Sequence, residues 1–314
     1  FKDRKKSRKT MQPLKRFIVE NIRREHMESV EQINREIRFD PRGFVERCDA
    51  RYGKELDQAA QRIAENWKSS PIILLSGPSA SGKTGAARLL SRRLETMGLR
   101  THSVSMADYL LNIDPETSPR NIRGEIDYES PFCMDLDLLN RHIAMLEQGQ
   151  TVHVPYFDMA AHCRSLTQIR QLTLGKDELV IFEGLHALND YIAGKNPKAL
   201  KIFIHLGEDY CDGPVQLLRP QLRFCRRIVR DTLLRGVDPD FTVQQWRNVR
   251  RGELLYSAPF AGNADLVLDS FLPYEMSALR PLAQPLLERL CANWGDDAEA
   301  IVKNLRQFEP LGRS

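Results

Sequence analysis

One octapeptide in this chain predicts phosphate chemistry, because its residues have the spacing G-x-x-x-x-G-K-[ST]: Gly77-Pro78-Ser79-Ala80-Ser81-Gly82-Lys83-Thr84. The two glycines allow backbone angles that a side chain would forbid, so successive N–H groups can surround a phosphate. Lys83 can reach the β- and γ-phosphates of a nucleotide, and the Thr84 hydroxyl can ligate Mg²⁺. We expect these residues and Gly85 to bind a nucleotide. A glycine turn could match the spacing by chance, and the motif alone does not separate kinases, GTPases and motors.

A carboxylate farther along the chain is placed to act with Thr84 on a metal ion. The apolar run at 179–182 predicts a buried strand that ends in Glu183 and Gly184. A carboxylate at this place, downstream of a phosphate-binding loop, is typical of a ligand of nucleotide-bound Mg²⁺. We therefore predict Thr84 and Glu183 as metal ligands. The alternative for Glu183 is a helix-capping carboxylate.

The segment 223–231 is dense in arginine, and at helical spacing Arg223, Arg226, Arg227 and Arg230 share one broad face. Such a run is often only a solvated basic helix. Here a phosphate ligand is already predicted, and arginines from a closing segment would neutralise the charge of a transferred phosphoryl group. We predict that Arg223 and Arg227 bind the nucleotide. We predict that Arg226 acts with Lys83 in catalysis by stabilising phosphoryl charge.

The elements that would position these residues alternate between strand-like and helical runs. Apolar runs predict strands at 71–76, 101–105, 150–155, 178–183, 200–206 and 264–269, and helical spacing predicts helices at 83–97, 134–147, 217–235 and 274–292. This alternation predicts an α/β fold of the P-loop NTPase type, with a mainly parallel sheet covered by helices on both faces. Ligands of such sheets bind at the carboxyl ends of the strands, where both predicted sites lie.

The chain divides into three predicted parts. Residues 1–67 form a basic tail and a helical extension, with apolar residues at helical spacing and a break at 40–43. Residues 68–293 form the nucleotide-binding domain, and residues 294–314 form a C-terminal tail without recognisable chemistry. The first residue is Phe1 rather than Met, which is compatible with a further domain upstream.

The composition is that of an ordinary globular protein, with 42% apolar and 28% charged residues among 314. No apolar run approaches the ~20 residues of a membrane span, and no signal-peptide pattern is present. A net charge of +4 gives no strong indication of nucleic-acid binding. The basic residues of the first ten predict a solvated tail, or else a weak contact with RNA or an acidic surface. Six cysteines without a C-x-x-C pair predict a reducing, cytoplasmic location. The sequence is also compatible with a homo-oligomer.

Together the motifs resemble the uridine kinase and phosphoribulokinase family of P-loop kinases, over roughly residues 68–293. The segments that resemble it, besides the phosphate-binding loop, are Ser105-Met106-Ala107-Asp108-Tyr109, Gly124-Glu125-Ile126-Asp127-Tyr128-Glu129-Ser130-Pro131, Pro155-Tyr156-Phe157-Asp158 with His162 and Arg164, Phe182-Glu183-Gly184-Leu185-His186, Arg226-Arg227-Ile228-Val229-Arg230-Asp231, Trp246 with Val249-Arg250-Arg251-Gly252-Glu253, and Pro259-Phe260 with Asn263-Ala264-Asp265. The likeness is to a bacterial branch of uridine- or nucleoside-kinase-like proteins.

This resemblance implies an enzyme that transfers a phosphoryl group from ATP, with Mg²⁺, to a hydroxyl of a small molecule, above all a nucleoside. It implies that Asp108 acts in catalysis by orienting the acceptor. The acceptor-binding residues that it implies are Asp127, Glu129, Phe157, His162 and Arg164. The polar members of this set could equally be ordinary surface residues.

Two departures from the family pattern bear on activity. The family's second strand ends in S-x-D-D-[FY] or S-x-D-x-F-Y, and its first Asp, taken as the general base, is here Ala107, which leaves Asp108. Strand alternation would point the side chains of Ala107 and Asp108 to opposite faces, so Asp108 would not replace the missing base. We therefore expect slow phosphoryl transfer with intact ATP binding. Phe157 and Met159 also replace the Tyr and Phe of uridine kinases, which argues against uridine as the acceptor.

Two alternatives stay open. The first is a nucleotide-binding regulatory protein with a degenerate kinase site, which Ala107 would favour. The second is a sugar-phosphate kinase of the phosphoribulokinase type, in which the region of Arg164 and Arg223 would hold the acceptor's phosphate. Kinase assays over a panel of nucleosides and sugar phosphates distinguish these alternatives from a nucleoside kinase.

Overall fold

A computed structural model describes residues 29–158, 161 and 163–312 of the chain. The basic tail, the first predicted helical positions from Leu14 to Ile22, Met159 and His162 lie outside the described residues. The prediction that His162 binds the acceptor therefore stays a prediction.

The strands, in chain order, are β1 (Ile72–Ser76), β2 (Arg100–Ser105), β3 (Val152–Val154), β4 (Phe157–Asp158), β5 (Cys163–Arg164), β6 (Arg170–Leu172), β7 (Glu178–Glu183), β8 (Leu200–His205), β9 (Tyr210–Asp212), β10 (Val215–Leu217) and β11 (Leu266–Asp269). Five of them form a parallel sheet in the order β11-β8-β1-β7-β2. The predicted α/β fold with a parallel sheet is confirmed. Because β1 is central, the loop that follows it lies at the middle of the sheet's carboxyl edge.

The described helices are α1 (Val30–Phe39), α2 (Pro41–Asn66), α3 (Lys83–Thr96), α4 (Leu136–Glu147), α5 (Arg219–Arg235), α6 (Pro239–Tyr256), α7 (Glu275–Trp294) and α8 (Asp296–Leu305). Asp40 separates α1 from α2. Its carboxylate accepts a 3.0 Å hydrogen bond from the backbone N–H of Gly43, and Pro41 occupies the first turn, where no N–H is needed.

Alternating side chains of β1 divide between two apolar clusters, as the period of two in a strand requires. Ile72 and Leu74 pack in the cluster that contains α4, whereas Ile73 and Leu75 pack in the cluster that contains α2 and α3. The sheet is therefore covered by helices on both faces. A third cluster joins α1, the start of α2, and helices α5, α7 and α8.

The elements β3 and α6 are among those that differ from the sequence-based expectation. The predicted strand at 150–155 is β3, which pairs antiparallel with β6 outside the parallel sheet. Helix α6 was not among the predicted helices because its buried positions are mostly not apolar: Thr242, Val249, Gly252 and Glu253. Without an apolar stripe at helical spacing, periodicity cannot indicate a helix. The sequence signal that was available for α6 is its N-terminus, where the N-cap residue Asp238 is followed by Pro239.

Within the described residues, no helix combines the length and the apolar character that crossing a membrane requires.

Candidate active site

A cleft of about 710 Å³ follows the carboxyl edge of the sheet. Its lining comes from the ends of β11, β1, β7 and β2, in that spatial order, and from α5. Ser270 and Leu272 follow β11, the phosphate-binding loop follows β1, Glu183 ends β7, and Ala107 follows β2. The cleft thus has a β11 end and a β2 end, with the phosphate-binding loop between them.

The phosphate-binding loop owes its shape to its two glycines. At Gly77 an added Cβ would collide with the carbonyl oxygen of Ile204 on β8, so the loop can pass this close only without a side chain. At Gly82 the backbone has φ +90°, a left-handed conformation that favours glycine, and the next residue begins α3. The helix N-terminus therefore points into the loop, which is the arrangement that binds phosphate.

Lys83 is folded back onto the loop. Its Nζ donates hydrogen bonds to the carbonyl oxygens of Gly77 at 2.8 Å and Pro78 at 3.0 Å. Burial lowers the pKa of Lys83 to about 8, although the charges of Glu183 and Glu253 oppose this shift. A bound polyphosphate would place further negative charge beside the ammonium and so favour its charged form.

Thr84 and Glu183 meet in the middle of the cleft. The Thr84 Oγ1 donates a 2.8 Å hydrogen bond to Oε1 of Glu183. Register explains the approach, because Glu183 pairs with Leu75, two residues before the loop. A hydroxyl and a carboxylate beside a phosphate site form the donor set that Mg²⁺ takes in proteins, where phosphate oxygens and water complete its coordination. The two predicted metal ligands are thus within reach of one ion.

Arg223 and Glu253 form a buried ion pair behind the loop. Both Nη atoms of Arg223 donate to the Glu253 carboxylate, at 2.6 and 2.9 Å. Arg223 also donates to the carbonyl oxygen of Ser79 at 2.8 Å, while the Ser79 N–H donates to Glu253 at 2.7 Å. Burial of Glu253 opposes ionisation, but the hydrogen bonds and charge of Arg223 outweigh it, so the pKa of Glu253 lies below its usual value. Arg223, predicted to bind nucleotide, contacts the loop from behind.

Arg226 and Arg227 both touch the loop and line the cleft. Arg226 pairs with Glu275 through two hydrogen bonds of 2.6 Å and donates to the Ser270 carbonyl oxygen at 2.8 Å. Arg227 donates to the hydroxyl of Ser79 at 2.8 Å.

The end of α5 adds positive charge to the cleft. Arg230 and Arg235 line it, and both pair with the buried Asp231, as Arg227 does. Three guanidinium groups therefore share one carboxylate, so this wall carries excess positive charge. Such a wall favours a polyphosphate ligand.

Ala107 and Asp108 lie in a short 3-10 helix (Met106–Tyr109), because β2 ends at Ser105. The strand alternation expected for these two residues therefore does not apply, since a 3-10 helix turns about 120° per residue. Ala107 lines the cleft, whereas Asp108 is not among the described residues that line it. The Asp108 carboxylate accepts a hydrogen bond from the Phe157 backbone, and burial is the main cause that raises its pKa.

The residues predicted to bind the acceptor separate into two groups. Glu129 lines the cleft, and burial raises its pKa. Asp127 instead pairs with Arg251 of α6 and accepts a 2.7 Å hydrogen bond from the Tyr256 hydroxyl.

The other two predicted acceptor residues within the described part are also away from the cleft lining. Phe157 is buried in the short strand β4. Arg164 donates to the carbonyl oxygens of Tyr109 at 2.9 Å and Leu110 at 3.2 Å, and it pairs with Asp135. Arg164 thus holds the segment that follows Ala107.

Glu253, Tyr52 and His186 are among the residues at the site that were not predicted from sequence. Glu253 binds the loop from α6, and Tyr52 lines the cleft from α2. His186 also lines the cleft; burial lowers its pKa to about 4, and its Nδ1 has no hydrogen-bond partner among the described residues. The motif that ends in His186 and the one that ends in Glu253 were available signals. For Tyr52 the sequence offered none.

The model of a protein family described as phosphoribulokinase / uridine kinase matches residues 72–275 of the chain. A uridine kinase of Saccharomyces cerevisiae is 26% identical over 218 residues, which cover 69% of this chain and 40% of the yeast protein. A uridine kinase of Staphylococcus aureus is 31% identical over 186 residues, which cover 59% of this chain and 79% of the bacterial one.

Solved structures resemble the chain more distantly. A putative fructose transport system kinase from Silicibacter sp. TM1040 has a TM-score of 0.48 and 19% identity, over 68% of this chain and 98% of that one. A possible uridine kinase from Bacillus stearothermophilus has a TM-score of 0.37 and 17% identity, over 63% of this chain and 88% of that one.

Proposed function

The chain belongs to the phosphoribulokinase / uridine kinase family of small-molecule kinases, and on this premise we propose that it transfers the γ-phosphoryl group of ATP to a hydroxyl of a nucleoside. The observation that supports the proposal most directly is the cleft itself. Lys83, Thr84 and Glu183 line it between its β11 end and its β2 end, and each end would take one substrate.

Each group of residues would have a separate role in this transfer. The loop amides and the N-terminus of α3 bind the phosphates, and Lys83 supplies the mobile charge that follows the transferred group. Thr84 and Glu183 would hold Mg²⁺, which would supply charge neutralisation at the phosphates. Arg226 and Arg227 would stabilise the phosphoryl charge from α5. Transfer by such a site depends chiefly on positioning and electrostatics.

The acceptor would enter at the β2 end of the cleft. Ala107 follows β2, and Tyr128, Glu129 and Ser130 line the same cleft. Glu129 can accept hydrogen bonds from sugar hydroxyls when ionised. Asp127 and Arg164 would act indirectly, because one fixes the loop that carries Glu129 and the other fixes the segment after Ala107.

A nucleoside fits this end better than a sugar phosphate. The two arginines that would hold an acceptor phosphate, Arg164 and Arg223, are already committed to backbone carbonyls and to carboxylates. Binding a second phosphate would require breaking the buried pair of Arg223 with Glu253, which is costly. A cytoplasmic location is part of the proposal, and it is supported by six cysteines that form no disulfide within the described residues.

The test is a kinase assay with ATP and Mg²⁺ over a panel of nucleosides and sugar phosphates. The expected result is a phosphorylated nucleoside, formed slowly because Ala107 stands where the family has its base. Phosphorylation of a sugar phosphate alone would replace the acceptor in this proposal. ATP binding without transfer to any acceptor, here and in Ala107→Asp, would favour the regulatory alternative.

A further inference from the structure

Tyr52 lines the same cleft as the phosphate-binding loop, although it belongs to α2. Helix α2 spans Pro41–Asn66 and so precedes residues 72–275, over which the family model matches. The extension therefore supplies part of the wall of the candidate active site, and its role is not covered by the family match.

The position of Tyr52 is at the β11 end of the cleft. The charges that act on its hydroxyl are those of Arg226, Glu55, Asp269 and Arg93, and Asp269 is the last residue of β11. Leu89 of α3 packs in the same apolar cluster as Tyr52 and also lines the cleft. Ala107, at the proposed acceptor end, follows β2 at the opposite edge of the sheet.

This arrangement fixes the direction of a bound donor nucleotide. Its phosphates lie at the loop after β1, and its terminal phosphate must face the acceptor at the β2 end. The nucleoside part then extends the other way, toward β11. There it meets Tyr52, Leu89 and Leu272, which offer aromatic and apolar surface beside the ion pair of Arg226 with Glu275.

Three contacts hold α2 against this end of the cleft. The Tyr274 hydroxyl donates to Asp49 at 2.6 Å, and the backbone N–H of Asp269 donates to Glu55 at 3.3 Å. Arg93 of α3 pairs with Asp57 at 2.6 Å. The α2 residues in these contacts lie on both sides of Tyr52 in the sequence. The ring is therefore positioned by contacts of α2 with the β11 region and with α3.

We propose that Tyr52 of the N-terminal extension forms the wall against which the nucleoside of the donor nucleotide binds. The inference rests on the proposed function, because it requires a nucleotide in the cleft. A phenol ring offers an apolar face to a purine, and an aromatic residue beside a base contributes binding energy that does not depend on the phosphates. Burial raises the pKa of Tyr52 to about 12, so its hydroxyl stays uncharged beside the polyphosphate.

The test compares two ligands that share their phosphates, ATP and inorganic tripolyphosphate, by calorimetric titration with Mg²⁺. In Tyr52→Ala we expect ATP to bind roughly tenfold more weakly, within the range of about 5- to 150-fold for loss of an aromatic–base contact. Tripolyphosphate should bind as it does to the wild type, which also shows that the loop is intact. Tyr52→Phe keeps the ring and should keep the ATP affinity within about threefold. Tyr191→Ala, which removes a half-exposed tyrosine away from the cleft lining, is the matched control.

Unchanged ATP affinity in Tyr52→Ala would overturn the inference and leave the proposed function standing. An equal loss for both ligands would also overturn it, because the effect would then pass through the loop rather than the nucleoside. Failure of the wild-type protein to bind either ligand would overturn the proposed function, and this inference with it.

Discussion

Glu253 of α6 accepts a 2.7 Å hydrogen bond from the backbone N–H of Ser79, so the shape of the phosphate-binding loop depends on a helix 174 residues away. The same carboxylate is paired with Arg223, whose guanidinium donates to the Ser79 carbonyl oxygen. Both backbone polar groups of Ser79 are therefore satisfied by a single ion pair. This pair is buried, with side-chain exposures of 5% for Arg223 and 4% for Glu253.

Replacing Glu253 by Gln should destabilise the protein. The substitution leaves the Arg223 charge buried without its partner, which typically costs about 3–5 kcal/mol. Urea denaturation measures the effect as a lower midpoint with an unchanged slope. Glu288→Gln is the matched control, because Glu288 pairs with Arg306 at the surface and should contribute less than about 1 kcal/mol. Equal effects of the two substitutions would mean that the buried pair has no special role in stability.

Lys83→Ala should abolish most of the affinity for ATP with Mg²⁺ while the protein stays folded. The substitution removes the one flexible cation that the loop itself provides, and the Lys83 side chain is bonded only to loop carbonyls at the cleft surface. Calorimetric titration measures the affinity, and circular dichroism checks the fold. A folded Lys83→Ala protein with wild-type affinity would contradict the assignment of this loop as the phosphate site.

The affinity for ATP should also fall as the pH rises through about 8, the pKa to which burial lowers Lys83. The polyphosphate binds the charged ammonium, and above this pH the free protein must take up a proton to bind. Linkage then limits the weakening to about tenfold per pH unit. Titrations in buffers of different ionisation enthalpy detect the proton uptake. Lys83→Arg should lose this dependence, since a guanidinium keeps its proton throughout the range.

Glu183→Gln should weaken nucleotide binding in the presence of Mg²⁺ more than in its absence. The substitution keeps the shape of the side chain and its contact with Thr84, but removes the negative charge that a hard cation requires. Parallel titrations of ATP with Mg²⁺ and with a chelator measure the difference. If both affinities changed equally, the role of Glu183 would be to position Thr84 rather than to bind a metal ion.

How much of this site the sequence could predict depends on the distance over which each contact acts. The loop, Thr84 and Glu183 were predictable because a local motif and the end of a strand identify them without knowledge of packing. Tyr52 and the contact of Glu253 with the loop were not, since both come from helices that meet this region only in the folded chain, although a family motif includes Glu253. The arginines of α5 show the limit of periodicity. Helical spacing placed Arg223 and Arg226 on one face, but not the carboxylates of Glu253 and Glu275 that pair with them.

Ala107 and Asp108 are adjacent in the chain, but only Ala107 is among the described residues that line the cleft. Ala107 lines the cleft at its acceptor end, and its short side chain offers no group that could accept a proton. Asp108 turns toward the Phe157 backbone, which donates a hydrogen bond to its carboxylate. Under the proposed function, neither Ala107 nor Asp108 would then supply a base to the acceptor hydroxyl.

We expect Ala107→Asp to raise the turnover of nucleoside phosphorylation by about 10²–10⁴-fold, the usual contribution of a positioned general base. The new carboxylate would face the acceptor end of the cleft, so ATP affinity should change little while the catalytic rate rises. Asp108→Asn should lower the turnover by far less than Ala107→Asp raises it, because the amide oxygen can still accept the hydrogen bond from the Phe157 backbone. Steady-state assays with one nucleoside and saturating ATP measure all three proteins. Brisk activity of the unaltered chain that collapses in Asp108→Asn would identify Asp108 as the working base. Ala107 would then be only a wall of the cleft, because a base one residue later in the 3-10 helix already serves the acceptor.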